Sequence, residues 1–150
     1  EGWADFDQQL WIQEKQRAIK RQKLDKQLPK IIGCEQNLQI ANQAKANVLT
    51  AGLEKVIEIQ NTHFRELIVP EEQGIIVCNP PYGKRIGMDQ DLSALYKELG
   101  SYFKLNASGW QLWVLSGNSF LTKFLGLKCS KRIPISNGGI DCRWLKYSIH

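Results

Sequence analysis

One short stretch limits the fold of this chain more than any other: the apolar run from Ile75 to Cys78 and the residues Asn79-Pro80-Pro81-Tyr82-Gly83 that stop it. The run has the length and composition of a buried strand, which we expect at residues 74–79. Prolines lack a donor N–H and fix φ, so they cannot continue that strand. The chain is therefore predicted to be stiff just beyond the carboxyl end of a strand, and ligands bind at that edge in open α/β sheets.

Strand and helix patterns alternate along the rest of the chain. Strands are predicted at residues 30–35, 56–60, 110–116, 128–135 and 140–149, and helices at 5–28, 37–51, 91–104 and after Asn118. Asn137-Gly138 between the last two strands is a strong hairpin signal. The predicted fold class is α/β, with an antiparallel pair added to a β-α-β-α sheet. We predict one domain over residues 1–150, in which the helix at 5–28 precedes an α/β core at 29–150.

Composition excludes some classes of protein. No apolar run approaches the roughly 20 residues that span a bilayer, and no signal peptide is visible, so a cytoplasmic protein without a membrane partner is expected. The four cysteines lie far apart without a CxxC pair, which favours free thiols over disulfides or a metal site. The formal net charge of +5 weakly favours a polyanionic partner.

The predicted helix at 5–28 is the most basic part of the chain. Lysines and arginines cover one side of it, at Lys15, Arg17, Lys20, Arg21, Lys23 and Lys26. Such a face is either an ordinary solvated surface or a surface that contacts nucleic-acid phosphates. The sequence leaves both interpretations open.

Glu35 is a candidate cofactor ligand, because it ends the strand predicted at 30–35 and precedes a helix. A carboxylate at that point of an α/β domain commonly accepts hydrogen bonds from both ribose hydroxyls. A solvated glutamate or a helix cap would give the same pattern.

Asn79, Pro80 and Tyr82 are candidate catalytic residues for chemistry at an aromatic amine. The lone pair of such an amine is delocalised into the ring, and acceptors for its hydrogens push the nitrogen toward sp³ and free that lone pair. The Asn79 side-chain oxygen and the Pro80 carbonyl could be those acceptors, held in advance by the prolines. Tyr82 could stack on the base. The alternative is a plain strand-terminating turn.

With these residues, the chain resembles a class I S-adenosylmethionine-dependent methyltransferase of the NPPY type, with a Rossmann-like sheet. It is similar, over nearly its whole length, to the bacterial 23S rRNA guanine-N2 methyltransferases that pair a THUMP domain with a methylase domain. The matching residues, in chain order, are Trp3 to Asp7 with Leu10-Trp11, Asn79 through Arg85, Leu95-Tyr96, Leu99-Gly100, Gly109-Trp110, Gly126-Leu127, Lys131-Arg132, and Asn137-Gly138 with Cys142.

The resemblance implies a methyl donor, a substrate and roles for site residues. S-adenosylmethionine would be the cofactor and rRNA the partner. Glu35 would bind the cofactor ribose, with Gln36 beside the adenine and Asn79 also near the cofactor, and no metal is implied. His63 stands where the family has an acid that contacts the adenine amine, and a neutral imidazole could accept one hydrogen bond there.

The resemblance also predicts that part of the family's fold is missing. Its first strand and glycine-rich loop would precede the helix at 5–28, and the THUMP domain is not present in these residues. In that fold the first strand lies between the strands at 30–35 and 74–79, whose edges would otherwise be unpaired. We expect these 150 residues to be inactive and unable to bind cofactor alone, unless a further N-terminal segment or a second chain completes the sheet.

The expected function is methylation of an exocyclic base amine, most specifically guanine N2 of 23S rRNA. Two alternatives remain: an N6-adenine methyltransferase acting on DNA or RNA, and a non-catalytic RNA-binding domain. NPPY alone does not separate guanine N2 from adenine N6.

Overall fold

A computed structural model of the chain describes residues 3–21, 28–82 and 92–150. The helices and strands in these ranges are α1 (Gln8–Arg21), β1 (Ile31–Cys34), α2 (Leu38–Thr50), β2 (Ile57–Gln60), β3 (Ile75–Cys78), α3 (Leu92–Asn106), β4 (Gln111–Ser116), β5 (Cys129–Asn137) and β6 (Ile140–Ser148). Short 3-10 helices lie at Phe64–Glu66 and Leu121–Leu125. The chain folds as two compact units, unit 1 at residues 1–62 and unit 2 at residues 63–150.

The first helix of unit 1 begins later than predicted. The Asp7 carboxylate accepts hydrogen bonds from the backbone N–H groups of Gln9 (2.8 Å) and Leu10 (3.0 Å), so Asp7 caps a helix that starts at Gln8, not at residue 5. Residues 22–27 of the predicted helix lie outside the described residues. Every side chain of α1 is exposed within unit 1, the basic ones included.

The rest of unit 1 is a β-α-β segment. β1 and β2 pair in parallel over their whole length, and α2 connects them. The predicted cap is confirmed, because Asn37 Oδ1 accepts from the N–H groups of Gln39 (3.0 Å) and Ile40 (3.2 Å). Gly52 ends the helical segment with a φ of 66°, a left-handed conformation that favours glycine. A parallel pair joined by a helix is the pattern that the sequence predicts for this region.

Unit 2 contains a four-stranded mixed sheet in the order β3-β4-β6-β5. β3 and β4 are parallel, while β6 runs antiparallel to both β4 and β5. The predicted hairpin is confirmed, with Gly138 (φ 59°) and Gly139 (φ 79°) in its turn. The last strand thus lies between β4 and β5, which places residues of the hairpin beside the carboxyl end of β4.

The hydrophobic core of unit 2 lies between α3 and one face of this sheet. Tyr96 and Phe103 of α3 are buried with Leu112, Val114 and Leu145 of the sheet. The amphipathic spacing of α3 predicts this arrangement. The α/β fold class is confirmed by this mixed sheet. No helix in the described ranges has both the length and the apolar composition needed to cross a bilayer.

Candidate active site

The segment Asn79-Pro80-Pro81-Tyr82 follows the last residue of β3, as predicted. Its residues alternate in exposure: Pro80 is buried and Tyr82 half-buried, while Asn79 and Pro81 are exposed. Among the described residues, the Asn79 side chain makes no hydrogen bond in the protein, so its oxygen is available to a ligand. The segment therefore combines an anchored proline with an amide that faces solvent.

Tyr82 is held by residues of the C-terminal hairpin. Asn137 Nδ2 donates a hydrogen bond to the Tyr82 hydroxyl oxygen at 3.0 Å, and the Cys142 thiol lies 3.5 Å from the same oxygen as a weak donor. Asn137 is the last residue of β5, and Cys142 lies buried on β6. These contacts fix the ring at its hydroxyl end, while the ring itself packs against the core of unit 2.

Gly117 leaves room for the Tyr82 ring because it has no side chain. A Cβ atom at this position would lie 3.0 Å from two carbon atoms of that ring and 3.1 Å from the Ile140 side chain. Such distances are tighter than ordinary van der Waals contact, so a larger residue would require the tyrosine ring to shift by a few tenths of an ångström. Gly117 directly follows β4, and thus β3, β4 and the hairpin all contribute to positioning one aromatic ring.

Glu35 lies at the carboxyl end of β1 in unit 1 and is half-buried. Its Oε1 accepts a hydrogen bond from the backbone N–H of Asn37 at 2.7 Å, while Oε2 has no partner among the described residues. Asn61 Nδ2 donates to the backbone carbonyls of Glu35 (2.9 Å) and Gln36 (3.1 Å). The carboxylate is thus oriented by one oxygen and keeps acceptor sites for hydroxyl groups. This geometry fits a ribose-binding acid.

His63 of unit 2 caps the 3-10 helix at Phe64–Glu66. Its Nδ1 accepts a hydrogen bond from the backbone N–H of Arg65 at 3.2 Å, and its ring lies 4.4 Å from that of Phe64, centroid to centroid. An Nδ1 that accepts requires the ring proton to be on Nε2 in the neutral form. In this arrangement the ring offers a ligand a donor rather than the expected acceptor. A contact between His63 and adenine stays a prediction.

The thiol of Cys78, next to the candidate site, is unreactive at neutral pH. Burial raises the pKa of Cys78 to about 12, so this residue before Asn79 is protonated at neutral pH and provides no thiolate nucleophile. All four cysteines are free: Cys34, Cys78 and Cys129 are half-buried and Cys142 is buried. Among residues 3–21, 28–82 and 92–150, no group of three or more His, Cys, Asp or Glu side chains could hold a metal ion.

Sequence reasoning misses the residues that support the site. Asn61 directly follows the strand predicted at 56–60, and a polar amide at that point, next to a parallel strand that ends in Glu35, is a usable signal. Asn137 and Cys142 are predicted as parts of a hairpin and not as partners of Tyr82. No local pattern links them to a residue 55 or 60 positions earlier. Gly83 and the other residues up to Arg85 lie outside the described residues.

The chain is similar to proteins with methyltransferase names. The family description "RMKL-like, methyltransferase domain" (UPF0020) matches residues 3–146. A Synechocystis protein named "Putative RNA methyltransferase slr0064" is 38% identical over 148 residues, 99% of this chain and 38% of that protein. The "Ribosomal RNA large subunit methyltransferase K/L" of Syntrophotalea carbinolica is 33% identical over 153 residues, 99% of this chain and 22% of that protein. The chain thus spans between about a fifth and two fifths of these relatives.

A solved structure shares the fold. The crystal structure of SMU.472, "a putative methyltransferase complexed with SAH", has a TM-score of 0.81 and 24% sequence identity, and the match covers 99% of this chain and 39% of that chain. At this level of identity the likeness concerns the fold alone. It shows that the α/β fold of this chain also occurs in that solved structure.

Proposed function

The chain belongs to the RMKL-like methyltransferase domain family, and from this premise we propose that the protein methylates the exocyclic N2 amine of a guanine in large-subunit ribosomal RNA. The proposed methyl donor is S-adenosylmethionine. Membership of the family supports an RNA methyltransferase, and the names of the K/L relatives favour ribosomal RNA. The choice of guanine N2 rests on the resemblance of the NPPY segment and its flanking residues to guanine-N2 enzymes.

The segment Asn79-Pro80-Pro81-Tyr82 carries the proposal. A guanine amine is a weak nucleophile because its lone pair is delocalised. The exposed Asn79 oxygen and the Pro80 carbonyl would accept its two hydrogens, and a ring fixed by Asn137 would stack on the base. The base must leave its stack to reach this segment. These groups act without an ionisable side chain as general base, since the proton can pass to water after transfer.

Unit 1 supplies the residues proposed to hold the cofactor. Glu35, with one oxygen fixed by Asn37 and the other without a partner among the described residues, would accept hydrogen bonds from the ribose hydroxyls. Gln36 follows it at the proposed adenine position. S-adenosylmethionine would supply an electrophilic methyl group, to which the amine nitrogen bonds as the sulfur leaves with its electron pair. The residues of unit 1 position this group and take no protons.

One substitution in the natural full-length form of the protein tests the proposal. Asn79→Ala removes one of the two amine acceptors and is expected to lower methyl transfer to unmodified large-subunit rRNA by at least about 100-fold. RNA affinity should change little, because the amide is not a phosphate contact. Transfer is measured with radiolabelled S-adenosylmethionine, and the modified nucleoside is identified by mass spectrometry after digestion.

Asn42→Ala is the matched control, since it makes the same chemical change at an exposed position of α2. It should leave activity unchanged. Wild-type activity retained by Asn79→Ala would refute the assigned role of this residue. N6-methyladenine instead of N2-methylguanine would support the alternative adenine enzyme. RNA binding by the wild type without any methyl transfer would identify a non-catalytic RNA-binding domain.

A further inference from the structure

Unit 2 contains a cavity of about 470 Å³ that the proposed chemistry does not use. It lies between the segment after β4, the 3-10 helix at Leu121–Leu125 and one face of the β5–β6 hairpin. Its lining includes three cationic side chains, Lys123, Arg132 and Arg143, and one acid, Asp141. The hydroxyl groups of Ser119 and Thr122 also line it. The charged side chains of the cavity therefore carry an excess of positive charge.

Strand register explains how the two arginines come together. Arg132 of β5 is paired with Leu145, and Arg143 of β6 is paired with Pro134. Leu145 and Arg143 are two residues apart on β6, so the two arginines lie on the same face of the hairpin as diagonal neighbours. In the part of the chain that the structure describes, neither guanidinium forms a salt bridge. The like charges of Arg132 and Arg143 on one face of the hairpin repel each other, and an anionic ligand would relieve this repulsion.

We propose that this cavity binds one nucleotide of the RNA backbone next to the target base, with Arg132 and Arg143 on the phosphate and Asp141 on the ribose. Guanidinium groups bind phosphate through paired hydrogen bonds. A carboxylate beside them would repel a free inorganic phosphate, but it can accept a hydrogen bond from a ribose 2′-hydroxyl. The combination of two arginines with one acid therefore fits a ribonucleotide better than a bare anion.

The position of the cavity connects it with the candidate active site. Gly117 lines the cavity, and the same residue abuts the ring of Tyr82. A base stacked on Tyr82 would thus have its neighbouring backbone close to the arginines. This inference rests on the proposed function, since it assumes that RNA is the substrate.

Salt-dependent RNA binding by the natural full-length form of the protein tests the site. The double variant R132Q/R143Q should bind unmodified large-subunit rRNA about 10- to 100-fold more weakly at low salt. The slope of log Kd against log salt concentration should fall by about one to two, because the arginines no longer displace counterions. The control K128Q/K131Q removes the same charge from exposed residues of the same region that do not line the cavity. Its effect should be less than threefold.

Three results would overturn the site. The first is an equal loss of affinity and slope in R132Q/R143Q and K128Q/K131Q, which would indicate a general charge effect. The second is a D141N variant that discriminates RNA from DNA of the same sequence as well as the wild type. The third is a pair of results. NMR of the arginine side chains detects binding of sodium phosphate, and R132Q/R143Q binds RNA as tightly as the wild type. The circular dichroism spectrum and the midpoint of urea denaturation should stay unchanged in every variant, which would show that each variant folds correctly.

The experiments distinguish failure of the proposed RNA-binding cavity from failure of the proposed methyltransferase function. If the wild type binds RNA but produces no N2-methylguanine, the proposed function fails, and the comparison of salt slopes still decides whether the cavity contacts RNA. If the wild type methylates RNA while R132Q/R143Q keeps the wild-type slope of log Kd against log salt concentration, the proposal for the cavity fails. The proposed methyltransferase function is then still supported.

Discussion

The two units of this chain differ in how they support the residues proposed to act in them. In unit 2, Tyr82 is attached to a sheet with its own core, in which Tyr96, Leu112 and Val114 are fully buried. In unit 1, Ala41 is the one buried apolar side chain among the described residues, and Leu38 and Leu49 of α2 are more than half exposed. The segment proposed to bind the base is thus attached to a packed core. The Glu35 segment instead depends on a few hydrogen bonds and a two-stranded sheet, which gives little stability alone.

The largest expected difference between the units is in how far a Leu→Ala substitution lowers the free energy of unfolding. Leu112→Ala removes a side chain with 0% exposure and should lower the free energy of unfolding by about 2–5 kcal/mol. Leu49→Ala changes a side chain that is 65% exposed and should cost less than about 0.5 kcal/mol. Urea denaturation followed by circular dichroism measures both. Similar costs for the two variants would show that something outside the described residues covers α2.

A second effect, which builds up over several pH units, is expected from the thiols at high pH. Burial raises the pKa of Cys78 from 9.0 to about 12, so above pH 9 the unfolded chain loses this proton while the folded chain keeps it. The free energy of unfolding should therefore fall by up to about 1.4 kcal/mol per pH unit between pH 9 and pH 12. The pKa of Cys34 in unit 1 is also raised, by burial and by the neighbouring Glu35 carboxylate.

Cys78→Ala should abolish this part of the pH dependence. Stability measured by urea denaturation at about pH 8.5 and about pH 10 gives the difference, and comparison of the variant with the wild type removes contributions from other groups. The buried phenol of Tyr147, with its pKa raised from 10.0 to about 12, adds a similar loss only above pH 10. An identical pH dependence in Cys78→Ala and the wild type would contradict a buried, protonated thiol at this position.

Local signals and long-range contacts account for what the sequence could and could not predict. The strand that stops before the two prolines, the cap at Asn37 and the glycine turn of the hairpin all depend on neighbouring residues, and all three are found in the structure. No helix or strand is predicted between the strands at 56–60 and 74–79, and this region contains a 3-10 helix at Phe64–Glu66, which His63 caps. The support of Tyr82 could not be predicted, because it depends on β6 lying between β4 and β5. Pairing order is set by packing of the whole sheet.

Asn61→Ala is expected to have only a small effect on stability, and it is the most informative substitution in unit 1. Asn61 is exposed, so the change should cost less than about 1 kcal/mol of unfolding free energy. It removes both hydrogen bonds that join the Glu35 and Gln36 carbonyls to the end of β2. If Glu35 binds the cofactor ribose, the loosened segment should weaken S-adenosylmethionine binding by about 3- to 10-fold in calorimetry of the natural full-length form. Asn42→Ala should have no such effect, and unchanged affinity in Asn61→Ala would mean that the Glu35 segment is held as firmly as the Tyr82 segment.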